Sequence, residues 1–156
     1  MKILLAILAI ACVAWYFYNN ANNQKIAALN LEKGVAFLAE NAKKAGVTTT
    51  ASGLQYEVLQ SGSGETHPTA SSTVRVHYHG TLIDGTVFDS SVERGETISF
   101  PLNRVIPGWT EGVQLMKVGD KFRFYIPSNL GYGERSAGKI PPGSVLIFDV
   151  ELFEIN

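Results

Sequence analysis

The hydrophobic pattern of this chain changes character twice. Ile3 to Tyr18 is an unbroken run of 16 apolar or aromatic residues, followed by the polar stretch Asn19-Asn20-Ala21-Asn22-Asn23. From Gln24 to Lys44 the apolar positions recur at helical spacing: Ile26, Leu29 and Phe37 fall near one stripe with Lys33, joined by Leu38 and Ala42. Gly34 weakens this second helix, and Gly46 is placed to cap it. Thr48 to Gly53 reads as a short polar linker. Beyond it the period drops to two. Leu54, Tyr56 and Val58 alternate with polar neighbours, as do Val74, Val76 and Tyr78, then Ile98, Phe100 and Leu102, then Phe122, Phe124 and Ile126, and finally Leu146, Phe148, Val150 and Leu152. Each segment has one dry and one wet face, as strands of a half-covered antiparallel sheet do. Asp84-Gly85 marks a tight turn between two strand-like pieces. One helix interrupts the strands, from about Pro107 to Met116, with Trp109, Val113 and Met116 on a common face. The pattern predicts an α+β fold: a twisted antiparallel β-sheet whose apolar face is covered by that short helix.

The amino-terminal run sets the expected domain organisation: residues 1–23 as a signal-anchor or transmembrane segment, 24–52 as helical spacer and linker, and 53–156 as a folded domain. Sixteen helical residues span about 24 Å against a hydrocarbon core of roughly 30 Å. Snorkelling of Lys2 and local thinning absorb the difference. Trp15, Tyr16 and Tyr18 cluster at the far end, where amphipathic rings sit at a membrane boundary. A cleaved signal peptide is the second reading, with Ala9-Ile10-Ala11 as its small-x-small site; lipidation at Cys12 is the third. Positive charge ahead of the run and none close behind it predicts the amino terminus inside and the carboxyl domain outside. In a bacterium that is a single-pass inner-membrane protein with its domain in the periplasm, or a soluble periplasmic protein after cleavage. The stripe in residues 24–45 is expected either to pack, on the domain or on a second copy as a dimer, or to remain a solvated spacer.

The net charge of −1 conceals a split. Residues 1–52 hold five Lys against two Glu, whereas residues 53–156 hold eight Lys and Arg against twelve Asp and Glu. An acidic folded domain without a basic stripe is a poor nucleic-acid binder. The single cysteine, Cys12, allows no intrachain disulfide. His77 and His79 share one side of a strand, but no further Cys or His joins them in the pattern, so a metal site is not expected. Neither a Gly-x-Ser-x-Gly elbow nor a phosphate-binding glycine loop occurs.

The candidate chemistry lies in the aromatic residues. Tyr78, Phe88, Ile98, Phe100, Phe124 and Phe148 project to the face that meets Trp109, with Val105 and Ile106 entering just before the helix. Tyr132 lies in a Gly- and Pro-rich loop, Asn129 to Gly143. Asp89, Arg94 and the two tyrosine hydroxyls are the polar groups available. Taken alone, such a set describes either a packed core or an apolar hollow with a few polar groups, the usual form of a small-molecule or peptide site.

Five blocks of residues narrow the choice. Val76-His77-Tyr78-His79-Gly80, Asp84 to Ser91, Val105-Ile106-Pro107-Gly108-Trp109, Leu130-Gly131-Tyr132-Gly133 with Ile140-Pro141-Pro142, and Phe148 to Leu152 closely resemble FKBP-type peptidyl-prolyl cis-trans isomerases, over about residues 53–156. Phe37 to Lys44 and Gly53 to Tyr56 look like the lead-in of bacterial periplasmic members. The resemblance implies a half-barrel wrapped on one helix and rotation about the bond preceding proline, with neither cofactor nor metal. By similarity Trp109 would be the floor under the proline ring, and Tyr78, Phe88, Val105, Ile106 and Phe148 the walls. The Ile106 N–H and the Tyr132 hydroxyl would hold substrate carbonyls, and Asp89 would lie beside the rotating carbonyl, held by Tyr78 or Arg94. Ile98 and Ile140 would also touch substrate. Ile98 stands where many members carry an aromatic residue, and Lys139 takes a place that is often apolar. The implied partners are proline-containing unfolded or nascent polypeptides and, as inhibitors, macrolides of the kind that bind this family. A membrane-tethered chaperone or peptide-binding module with little catalysis is the alternative reading.

Overall fold

The computed structural model describes residues 2–156; Met1, the first residue of the segment expected to enter a membrane, lies outside it. One helix, α1, occupies Lys2–Asn41 without a break. Two helices separated near Asn19–Asn23 are therefore not formed. No Gly or Pro occurs between Lys2 and Lys33, and asparagine in a helix interior is only mildly unfavourable, so nothing there stops propagation. At 1.5 Å per residue the helix is about 60 Å long. Its most apolar window has a mean hydropathy of 1.7 and none of it is buried, so α1 is long and apolar enough to cross a membrane.

The carboxyl half of α1 packs on the rest of the chain along a different stripe from the one the sequence suggests. Ala27, Gly34 and Asn41, spaced two turns apart, are buried. Ile26 and Leu29 instead face outward, at 36% and 51% exposure. The backbone of α1 comes so near the domain that only small residues fit between: a Cβ on Gly34 would stand 2.8 Å from Val145 Cγ2. Asn41 donates to Gln55 Oε1 at 2.9 Å, and Gln55 Nε2 donates to the Leu38 carbonyl at 2.9 Å. The Phe37 ring lies 6.1 Å from that of Tyr125.

After α1 the chain forms β1 (Val47–Thr49), β2 (Gln55–Gln60), β3 (Thr73–Thr81), β4 (Val87–Ser90), the short helix α2 (Ser91–Arg94), β5 (Ile98–Pro101), α3 (Pro107–Val113), β6 (Lys121–Ile126) and β7 (Leu146–Ile155). The strands make one antiparallel sheet in the order β1-β2-β6-β7-β3-β4, with β5 also paired to β3. Four expectations change. The polar linker is partly a strand, because Val47 to Thr49 pair with Gln55 to Glu57 across a tight turn. A second helix, α2, is present beside α3. Leu102 leaves the strand for a 3-10 turn, Leu102–Arg104. Finally α3 ends at Val113, although Met116 beyond it is still fully buried.

The core lies between α3 and the inner face of the sheet. Trp109, Val113 and Met116 meet Val74, Val76, Phe124, Ile126, Leu146, Val150 and Leu152, all buried. Phe124 lies, as expected, on the face that meets Trp109, where α3 covers it. A Cβ on Gly112 would come 2.6 Å from its Cε1, so the helix rests directly on that ring. The outer-face histidines are half-buried rather than free: His77 Nδ1 is 2.9 Å from Ser91 Oγ and His79 Nδ1 is 2.8 Å from Ser90 Oγ.

Candidate active site

Trp109, at 4% exposure, holds the centre of the site. Pro107 opens α3, where its fixed φ suits the first turn and its missing N–H costs nothing. The bend places the indole against the sheet. Three rings meet it nearly at right angles: Tyr78 at 5.5 Å and 84°, Phe100 at 5.6 Å and 80°, and Phe148 at 5.3 Å and 88°. Edge-to-face pairs match the positive ring edge to the negative face, and they fix the indole from several directions. Phe88 continues the array, 5.3 Å from Phe148 at 86°. Gly80 on β3 makes room for it, since a Cβ there would meet Phe88 at 2.7 Å and Phe148 at 2.8 Å.

These rings border an open cavity of about 490 Å³, lined by Tyr78, Asp89, Ile98, Val105, Ile106, Trp109, Tyr132 and Phe148 among the expected residues, and by Phe100 and Arg104 besides. Phe88 and Ile140 lie outside that lining. They border an adjoining hollow of about 310 Å³, which shares Asp89, Tyr132 and Phe148 with the first. Arg94 lines neither and sits behind Asp89. The strand alternation places Phe100 on the face that meets Trp109, and there it lines the cavity. Nothing in the sequence marks Arg104 beyond its place next to Val105.

The polar groups are built from β4 and α2. Ser90 ends β4 and caps α2, accepting from the Glu93 N–H at 3.1 Å. The single turn of α2 then returns Arg94 to Asp89, five residues earlier. Arg94 Nη1 donates to Asp89 Oδ1 at 2.5 Å, and the Tyr78 hydroxyl donates to Asp89 Oδ2 at 2.5 Å. Arg94 Nη2 also donates to the Tyr78 oxygen at 3.0 Å, with the guanidinium 5.7 Å from the centre of the ring. Ser91 Oγ accepts from the Tyr78 N–H at 2.7 Å and anchors this strand position. Burial pushes the Tyr78 hydroxyl above the usual phenol range, and its bond to Asp89 adds to the shift. Burial also acts upward on Asp89, but the bonds from Tyr78 and Arg94 outweigh it and hold the carboxyl below its usual range. Asp89 is thus a fixed anion at neutral pH, with both oxygens engaged.

Two residues that line the cavity carry donors without a partner among the described residues. The Ile106 N–H donates to no backbone acceptor among the described residues, while its carbonyl takes Trp109 and Thr110 at the start of α3. The Tyr132 hydroxyl has no side-chain or backbone partner among the described residues, and the residue is 43% exposed. Among the described residues no cluster of His, Cys, Asp or Glu is arranged to hold a metal. The cavity offers an aromatic floor, one fixed anion and two donors without partners among the described residues, set on a sheet-and-helix fold.

Comparison with known proteins gives the class that the five sequence blocks resemble. Residues 64–153 match the family of FKBP-type peptidyl-prolyl cis-trans isomerases, and residues 14–58 match the domain amino terminal to that isomerase. The chain belongs to the FKBP-type peptidyl-prolyl cis-trans isomerase family. It is 61% identical over 136 residues to an FkpA isomerase of Aeromonas hydrophila, covering 87% of this chain and 50% of that one. It is 57% identical over 133 residues to the FKBP-type 22 kDa isomerase of Escherichia coli, covering 85% of this chain and 64% of that one. The crystal structure of FkpA from Escherichia coli superposes with a TM-score of 0.85 at 44% identity, over 94% of this chain and 71% of that one. The chain therefore spans about half to two thirds of the length of these curated relatives.

Proposed function

We propose that this chain is a peptidyl-prolyl cis-trans isomerase that accelerates rotation about X-Pro bonds in unfolded polypeptides. The observation that carries this reading is the Trp109 indole, held edge-on by Tyr78, Phe100 and Phe148 at the bottom of an open cavity. The reaction breaks no bond. Its barrier of roughly 18–20 kcal/mol is the loss of amide resonance. A twisted amide has less charge separation than a planar one, so an apolar box favours the twisted form, and tighter binding of that form is the catalysis. A nucleophile and a base are unnecessary.

In this reading the proline ring rests on Trp109 between Val105, Ile106 and Phe148. The Ile106 N–H and the Tyr132 hydroxyl each take a substrate carbonyl and hold the chain on either side of the rotating bond. Asp89, already bound by Tyr78 and Arg94, does not reorient and presents a fixed negative edge beside the rotating carbonyl. Ile98 closes the wall between Phe100 and the solvent. Phe88 and Ile140, on the adjoining hollow, contact the residue before proline. Macrolides that bind this family would enter the same cavity.

The apolar part of α1 supports a location at a membrane, with residues 3–18 spanning it and the isomerase domain, 53–156, outside the cytoplasm; a soluble periplasmic form after cleavage is the alternative. Residues 24–45, which carry the outward-facing Leu29, Leu31 and Val35, are the region through which a dimer would form. The test of the activity is refolding of a protein limited by proline isomerisation, with substoichiometric amounts of this chain. Acceleration supports the enzyme. An effect only at equimolar amounts means a holding chaperone. Fractionation with amino-terminal sequencing of the mature protein tests the anchor, which fails if the protein is recovered soluble without its first residues.

A further inference from the structure

Two cations at the pocket rim have no charge to answer. Arg104 closes the 3-10 turn after β5, lines the main cavity and is exposed. Lys139 lines the adjoining hollow across the site and is exposed as well. Neither makes a salt bridge among the described residues, where the ion pairs engage Lys43, Arg75, Arg94 and Arg123. Asp89 is the acid on both linings, and Arg94 already neutralises it at 2.5 Å. The rim therefore carries two positive charges that make no direct ion pair among the described residues. The surrounding residues 53–156 have the opposite balance, twelve acids against eight bases. A positive mouth on a negative domain attracts anionic ligands to that mouth and repels them elsewhere.

The chemistry of such a ligand follows from the reach of a peptide. An extended chain advances about 3.3–3.6 Å per residue. With a proline ring on Trp109, residues two or three positions to either side come level with the rim. We infer that Arg104 and Lys139 make this pocket selective for X-Pro bonds flanked within a few residues by Asp or Glu. This inference rests on the isomerase reading above and narrows its substrate class. Exposed ion pairs are weak and are screened by salt, so two of them together supply a preference of about five- to tenfold over a lysine-flanked peptide, and only at low ionic strength. The preference acts on capture rather than on rotation, so it falls in KM more than in kcat.

The experiment uses three peptides with one Ala-Leu-Pro-Phe core, flanked on both sides by Glu, by Gln or by Lys. Their kcat/KM values are measured with the full chain at low salt and at about 0.5 M salt. Dissociation constants for the same peptides are measured by calorimetry. The expected order is Glu above Gln above Lys at low salt. The Glu-to-Lys ratio should fall toward one in high salt and in the Arg104→Gln/Lys139→Gln double variant, and should invert in Arg104→Glu/Lys139→Glu. A ratio near one in the unmodified chain overturns the inference, as does a ratio that survives the double variant. The two readings fail separately. Charge-ordered binding without turnover of any peptide overturns the isomerase and supports the charged rim; equal turnover of all three does the reverse. Absence of both binding and turnover overturns both.

Discussion

Asn30 of α1 donates through Nδ2 to the carbonyl of Pro142 at 2.9 Å, joining positions 112 residues apart. Pro142 belongs to the irregular segment between β6 and β7 that carries Tyr132, Lys139 and Ile140 around the pocket. Next to it, Gly143 lies so close to α1 that a Cβ would stand within van der Waals overlap of the Ala27 carbonyl oxygen. The Gly143 N–H in turn donates to Gly133 at 2.8 Å, directly after Tyr132. The long helix thus braces the loop that presents the Tyr132 hydroxyl.

Removing the brace should loosen that loop more than it destabilises the fold. Asn30→Ala deletes one partly buried hydrogen bond, a change of about 1 kcal/mol. Amide exchange across residues 131–145 should quicken while that of β3 and β7 is unaltered. Uniform protection in the variant would show that the loop holds itself.

Trp109→Leu keeps a buried apolar side chain at the start of α3 but removes the flat floor and three edge-to-face contacts. Turnover of a proline peptide should fall about tenfold or more, equivalent to ~1.4 kcal/mol in the transition state. Phe148→Ala should do the same and also lower the unfolding midpoint, since truncating a buried ring costs about 3–5 kcal/mol. Chemical denaturation beside the peptide assay separates the two effects. Unchanged kcat/KM in both variants would remove the pocket from the chemistry.

Asp89→Asn and Tyr132→Phe bear on turnover rather than on stability. Asp89 and Arg94 are about half exposed, so their pairing adds little to folding. The Asp89→Asn amide keeps the shape of the carboxylate but loses the anion, and kcat should drop with an unfolding midpoint close to that of the parent. Tyr132→Phe removes one free donor and should raise KM for peptides.

The dependence on pH should be flat over a wide range. Asp89 has its carboxyl held below the ordinary value of 3.8, so its ionised, bonded state is fully present above that value and is lost as pH falls through the lower, folded value. Tyr78 is displaced upward from 10.0, so its neutral state is fully present below that value and is lost as pH rises through the higher, folded value. Neither cavity is lined by a histidine among the described residues. Between about pH 5 and 9, kcat/KM should be constant. A bell-shaped profile centred near neutrality would require a titrating group that this site does not contain.

Much of this was written in the period of the chain. Alternation located the strands bearing Tyr78, Phe100, Phe124 and Phe148, and the i, i+4, i+7 spacing located the helix bearing Trp109. What escaped was set by close approach between distant segments. Gly34 reads locally as a flaw in a helix, yet it is the point where α1 meets Val145. Ile26 and Leu29 read as the packing stripe and are displaced by Ala27 and Gly34, because backbone proximity favours small residues over large ones. The strand β1 is too short and too rich in threonine to show alternation, and it exists because β2 offers an edge. Arg104 carries no periodic signal, and only the 3-10 turn brings it to the cavity.

An uninterrupted α1 also fixes a height. From Tyr18, where the apolar run ends, to Ala27, where the domain first touches the helix, there are nine residues, about 13 Å of rigid rod with no Gly or Pro to bend it. With residues 3–18 in a membrane, as proposed above, a module mounted this way would not roam on a tether. It would be held like a lamp on a short post, and the polypeptides within its reach would be those passing close above the surface from which the post rises.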